Sequence, residues 1–233
     1  IISADPAIAG RLIQVANSAV FGGQSTVDSV QGALVRMGLS RAQNIVISLA
    51  SKSLYTADEP LIKRQLLERW RHAIDIAALG AVLGDMTPGL QGDVGMLVGL
   101  LHDIGAVPIL LAAAEYPDLL KTPGILEEIL DGMAPYVTQT VLGRWEFGDE
   151  FIAAAGDSDN WLRDHDRDPD YTDVMIVAHL HALVKQRQFK RLPRIDETPA
   201  FQKLALGQLS AKLSLVVLDQ AKSQITELRS LLT

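Results

Sequence analysis

The sequence predicts an all-α protein, on three observations. Apolar residues recur at three- and four-residue spacing along most of the 233 residues, the period of one helix face. No stretch alternates apolar and polar residues strongly enough to compete as a strand. Aromatics make up 5% against 48% hydrophobic residues, so the core must come from Leu, Ile, Val and Ala, and Leu and Ala are strong helix formers.

The elements follow in order. Asp5-Pro6 supplies an N-cap and a first-turn proline, and Ile8, Leu12, Ile13, Val15 and Ala16 give the first helix one apolar face, closed by Asn17-Ser18 and Gly22-Gly23. Asp28 or Ser29 caps a second helix through Val30, Ala33, Leu34 and Met37, stopped by Gly38. Ser40 is expected to cap a third through Ile45, Val46, Leu49 and Leu54. Further helical patterns cover about 61–83, 94–114, 124–145, 149–155 and 173–186. Thr198-Pro199 opens a short helix ending near Gly207. The last helix, about 210–232, carries Leu213, Val216, Val217, Ala221, Ile225, Leu228 and Leu232 on one side. Between them, residues 156–173 hold seven aspartates and read as a solvated loop, with His165 in water.

One dipeptide stands out. His102-Asp103 sits between Met96-Leu97-Val98-Gly99-Leu100-Leu101 and Ile104-Gly105-Ala106-Val107-Pro108. A carboxylate among aliphatic groups is costly unless it is paired, hydrogen-bonded or metal-bound, and both residue types are metal ligands. The pair is therefore either a metal site or a buried hydrogen-bonded stitch between helices.

Several segments together resemble the HDOD domain, a branch of the HD superfamily found in bacterial signalling proteins. They are Asp5-Pro6-Ala7, Ala16-Asn17-Ser18-Ala19-Val20-Phe21-Gly22, Ala33-Leu34-Val35-Arg36-Met37-Gly38-Leu39, Trp70-Arg71-His72, Leu100-Leu101-His102-Asp103-Ile104-Gly105 and Arg144-Trp145, in the family's order over roughly residues 5–182. The resemblance implies a multi-helix HD-domain-like bundle with an N-terminal helical subdomain. One domain is expected over 1–233: an N-terminal helical part about 1–58, the bundle about 59–190 and C-terminal helices about 198–233. Relatives carry further helical sequence ahead of the first motif, which puts the expected domain start before Ile1.

The resemblance also implies a site. In catalytic HD phosphohydrolases a histidine, the His-Asp doublet and a later aspartate hold a divalent metal, which acidifies bound water and steadies charge on the phosphate. His72, thirty residues before His102, fits the first histidine, and His102 and Asp103 fit the doublet. His179 stands where the later aspartate would. It is expected either to complete a set of His72, His102, Asp103 and His179 or to fill the old pocket as a neutral core histidine, with His181 exposed. The further histidines of two-metal relatives would fall near Ala134 and Gly156-Asp157, and neither position keeps one. The implied function is a non-catalytic signalling module acting through protein contacts, with a metal-dependent phosphohydrolase for a nucleotide or other phosphate ester as the alternative. No cofactor is expected unless the site is retained, in which case it would take manganese, iron, nickel or zinc.

Other chemistries are disfavoured. The net charge of −7 and the sparse cations Arg36, Arg41 and Lys52 around the second and third helices argue against nucleic acid. Asp166, Asp168 and Asp170 imitate the start of an EF-hand, but Tyr171 and Val177 fail its diagnostic sixth and twelfth positions. Gly22-Gly23 and Gly92-Asp93-Val94-Gly95 lack a phosphate loop's context. With no cysteine, thiolate sites and disulfides are excluded. The longest apolar run, Ile104 to Ala114, falls short of the ~20 residues a membrane span needs, and no charged leader precedes an apolar stretch at Ile1-Ile2. The expected setting is cytoplasmic. The expected partners are signalling proteins or an attached sensor or receiver domain, with a homodimer through the C-terminal helix as a further expectation.

Overall fold

The computed structural model describes residues 5–18, 25–185, 192–205, 226–227 and 229–230, and among these there is helix and no strand. Helices α1 (Pro6–Ala16), α2 (Val30–Met37) and α3 (Leu39–Ser51) pack on one another. Asp5 caps α1 as expected, its carboxylate accepting from the amides of Ala7 and Ile8. Asn17 is a structural staple: its amide donates to the carbonyl of Val27 and its oxygen accepts the Val27 amide. Arg36 reaches across from α2 to the carbonyl of Ala16 and to Asn17 Oδ1. Asn17 thus ties the end of α1 to Val27, just ahead of α2. Helix α3 begins at Leu39, one residue before the expected Ser40 cap, because Gly38 at φ 81° turns the chain between two helices and Ser40 is already inside the first turn.

Helices α4 (Pro60–Met86) and α5 (Gly92–Leu101) form the centre of the bundle. Glu59 caps α4 at the amide of Ile62, with Pro60 at its first position. The seam between the two helices has no room for side chains. A Cβ added to Gly99 would lie 2.6 Å from Ala77 Cα, and one on Gly95 would lie 2.4 Å from the Gly80 carbonyl oxygen. Buried Asp93 at the start of α5 accepts from Asn44 (2.7 Å) and Arg41 (3.2 Å) of α3, which ties the N-terminal helices to the bundle.

The single helix expected over 94–114 is two. Helix α5 ends at Leu101, residues 102–105 form tight turns, and α6 (Ala106–Ala113) follows. Amides of Ile104, Ala106 and Val107 bond three residues back rather than four. Pro108, lacking an N–H, cannot bond the carbonyl of Ile104, so the ladder breaks there. Taken whole, Gly92–Ala113 has the length and composition of a membrane span, contrary to the shorter run read from sequence, but 72% of its most apolar window is buried inside the protein.

Helix α7 (Pro117–Lys121), started by its proline, was not anticipated. Helices α8 (Ile125–Arg144), α9 (Asp149–Gly156) and α10 (Tyr171–Lys185) complete the bundle, with α10 packed on α4, α5 and α9. Helix α11 (Pro199–Lys203) starts at the Thr198 cap and stops earlier than expected. Most of the expected last helix lies outside the described residues. Of its described residues, Arg229 pairs through Nε with Asp75 of α4 at 2.7 Å.

The acidic segment 156–173 is only in part the solvated loop that its composition suggests: Asp159, Asp164, Asp166 and Asp168 are exposed, but the groups around Asp173 are folded in. Arg163 donates to both oxygens of Asp170 (3.0 and 2.6 Å) and to Asp173 (3.1 Å), and Asp173 is fully buried. His165, expected in water, is only 11% exposed at its side chain and bonds Asp173 through Nε2 at 3.1 Å. Internal ion pairs at Asp170 and Asp173 thus bury part of the acidic charge that made the whole segment look hydrated.

Candidate metal centre

Helices from across the bundle converge on one cavity of about 570 Å³. Helix α4 contributes Gln65, Glu68, Arg69 and His72 from one stripe at three- and four-residue spacing. The C-terminal end of α5 and the turn after it contribute His102 and Asp103, and α10 contributes His179. Helix α8 adds Leu130, Asp131, Ala134 and Pro135 to its lining, and α9 adds Ala155 and Gly156.

His72, His102 and His179 meet there. Their ring centroids are 5.6, 5.3 and 5.4 Å apart, and one ligand nitrogen from each lies within 4.8 Å of the others. The glycine seam explains part of this closeness: Gly99 is one turn before His102, and Ala77, which it touches, is about one turn after His72. Burial and mutual repulsion hold the histidines neutral. Desolvation pushes His102 down to about 3, with the neighbouring imidazole of His179 and the charge of Arg69 acting in the same direction against the Gly99 bond. Desolvation likewise lowers His72, helped by His102, His179 and Arg69, and it lowers His179.

Two of the rings have a backbone carbonyl at Nδ1: Gly99 for His102 (2.8 Å) and Ser158 for His179 (3.2 Å). A carbonyl only accepts, so Nδ1 of each neutral ring must carry the proton and Nε2 the lone pair. Metal-ligating histidines are oriented in this way. Neutral, oriented and convergent imidazoles fit a divalent metal, so the described residues include a donor set able to hold one.

Asp103 opens on the same cavity but does not join that group. Its carboxylate is bonded by Nη1 of Arg69. Burial raises its carboxyl above the ordinary value while Arg69 pulls the other way. Of the four residues named from sequence, three are brought together and the fourth is held by an arginine. Sequence reasoning missed Arg69, although it precedes His72 by three residues and so shares its face. It also missed Trp161, whose ring lies 5.2 Å from that of His179. Ala134 and Gly156, where two-metal relatives would place histidines, do line the cavity. His181 is exposed. The second cluster of ligand-type groups, His165, Asp170 and Asp173, was not anticipated.

The fold is shared with solved structures. A protein of Shewanella amazonensis described as a "putative metal-dependent phosphohydrolase" superposes with a TM-score of 0.82 at 23% identity, over 100% of this chain and 82% of that one. An HDOD domain protein with unknown function from Geobacter sulfurreducens gives 0.69 at 19% identity, over 99% and 83%. A "putative signal transduction protein" from Marinobacter aquaeolei gives 0.61 at 18% identity, over 99% of this chain and 53% of that one. No curated protein matches. The family model of the HDOD domain matches residues 1–160, well over half of the chain, and with the motifs around Asn17 and His102 inside that span the chain belongs to the HDOD domain family.

Proposed function

We propose that this chain is a signal-transduction module that works through contacts with other proteins, and that its cavity is kept as a metal-binding site without turnover. The observation that carries this reading is the Arg69–Asp103 pair. A hydrolase of the HD type needs carboxylate charge on its metal, and here the doublet aspartate is engaged by a cation while a histidine occupies the later aspartate's place. His72, His102 and His179 would hold the metal, and imidazole ligands suit iron, nickel and zinc better than manganese. Such an ion supplies Lewis acidity and an acidified water. The chain's own residues orient two of the three rings through Gly99 and Ser158 and leave the cavity open on one side. The partners proposed are signalling proteins or an attached sensor or receiver domain.

A second reading, a metal-dependent phosphohydrolase acting on a nucleotide or other phosphate ester, is favoured by one observation: three neutral imidazoles face a cavity large enough for such a ligand, with a guanidinium on its wall. Elemental analysis separates the two. Protein purified without chelator and offered manganese, iron, nickel or zinc singly should retain about one metal per chain and turn over no phosphate ester. Turnover that disappears in Asp103→Ala would establish the hydrolase instead. No metal retained would end the metal-binding part of both readings.

A further inference from the structure

Asp103 follows a candidate ligand directly and faces the same cavity, yet it is held by Arg69. The contact is single, Nη1 to Oδ2, and Arg69 Nε is buried with no hydrogen-bond partner among the described residues. Both side chains are partly open to the cavity, 25% and 18% exposed. The guanidinium therefore has donors to spare but one unit of charge, and one carboxylate now takes it.

We propose that Arg69 is a latch that withholds Asp103 from the metal, and that an oxyanion of the phosphate class entering the cavity releases it. The proposal rests on the reading that His72, His102 and His179 hold a divalent metal. A planar guanidinium binds a phosphate through two parallel N–H donors, better than the single contact it makes with Asp103. Release would leave a partly buried carboxylate without a cation, which is costly, unless a metal stands beside it. With the metal present, the exchange gives each anion a cation: Asp103 turns to the metal and the oxyanion takes Arg69. Without the oxyanion, the metal has three neutral ligands and faces a nearby guanidinium that repels it. Metal and oxyanion thus bind with positive coupling, and the coupling is reciprocal.

The test is a cobalt titration of the full chain with and without inorganic phosphate, kept below the level at which cobalt precipitates. Quenching of Trp161, next to His179, gives the affinity, and the visible cobalt spectrum reports a carboxylate joining the ligands. Phosphate should tighten wild-type cobalt binding about tenfold, within the usual range of coupling energies. Arg69→Met should bind at the tightened level without phosphate and ignore it. Asp103→Asn should bind no tighter than wild type does without phosphate, and phosphate should leave its visible cobalt spectrum without the carboxylate change. Cobalt bound equally by all three proteins, indifferent to phosphate, would overturn the latch and leave the metal site standing. No cobalt in wild type or Arg69→Met would overturn the metal reading and the latch together. Should Arg69→Met not fold, Arg69→Lys decides. It keeps the charge but loses the planar fork, so its response to phosphate must shrink, and an undiminished response overturns the latch.

Discussion

Two clusters of metal-ligand residue types lie among the described residues, each with three ligand atoms within 4.8 Å of one another, and they differ in how their polar groups are satisfied. Around Asp173, the cation is already supplied by the protein. Arg163 bonds both aspartates, His165 donates to the buried carboxylate, and the Asp170 amide completes it. That cluster is closed, and its work is to clamp the loop 157–170 onto the start of α10. The three-histidine cluster has neutral rings around a cavity, two of them oriented from behind by carbonyls, and the guanidinium of Arg69 on its wall holds a carboxylate outside the group. Spacing alone does not separate a binding site from a structural clamp. The charge balance among the neighbours does.

The largest test of this contrast is Asp173→Ala. Removing the fully buried carboxylate leaves Arg163 short of a partner and should cost about 3–5 kcal/mol, as for one side of a buried ion pair, read from the urea midpoint at unchanged slope. A loss under about 1 kcal/mol would mean that the clamp is not what holds the loop. Next in size is the response to metal. A divalent ion at about a hundred times its dissociation constant should stabilise wild type by about 2.7 kcal/mol, seen as a shift in thermal melting. His165→Gln should keep the shift and His179→Gln should lose most of it. The reverse pattern would assign the metal to the wrong cluster.

Acid should act on the histidine cluster of the metal-free protein. His72 and His102 are held below the ordinary imidazole value of 6.5, His102 at about 3. The unfolded chain therefore takes up protons below about pH 6.5 that the native state refuses. Stability from these groups is complete above that value and falls as pH drops towards 3, by up to about 1.4 kcal/mol per pH unit for each histidine. Chemical denaturation across pH 4–8 measures it, and His102→Asn should flatten the slope. An unchanged slope would mean that the ring is not buried neutral. The smallest expected effect is that of His165→Gln on stability, about 1 kcal/mol or less, since an amide can still donate to Asp173.

Much of the fold was legible because its signals are local. Caps such as Asp5 and Thr198 and stops such as Gly38 are written within a few residues. So was the order of His72, His102 and His179, whose meeting the family resemblance anticipated. What escaped depends on contacts between distant segments. The break at residues 102–105 needs Pro108 to be weighed against a strongly apolar run. The clamp needs Arg163 and Asp173 to be folded onto each other. Arg69 was within reach, three residues from His72, but nothing in the sequence says that it would take Asp103.

The glycine seam between α4 and α5 bears on the order in which this protein comes apart. Two backbones in contact, with no side chain to loosen between them, exchange their amide hydrogens only when both helices open together. His72 and His102 ride on those helices, whereas His179 sits on α10 and takes its carbonyl partner from the loop after α9. In a hydrogen-exchange experiment the first two histidines belong to the slowest unit and the Ser158 loop to a faster one. Opening of that loop would take the Ser158 carbonyl from His179 Nδ1 while leaving all three imidazoles on their helices.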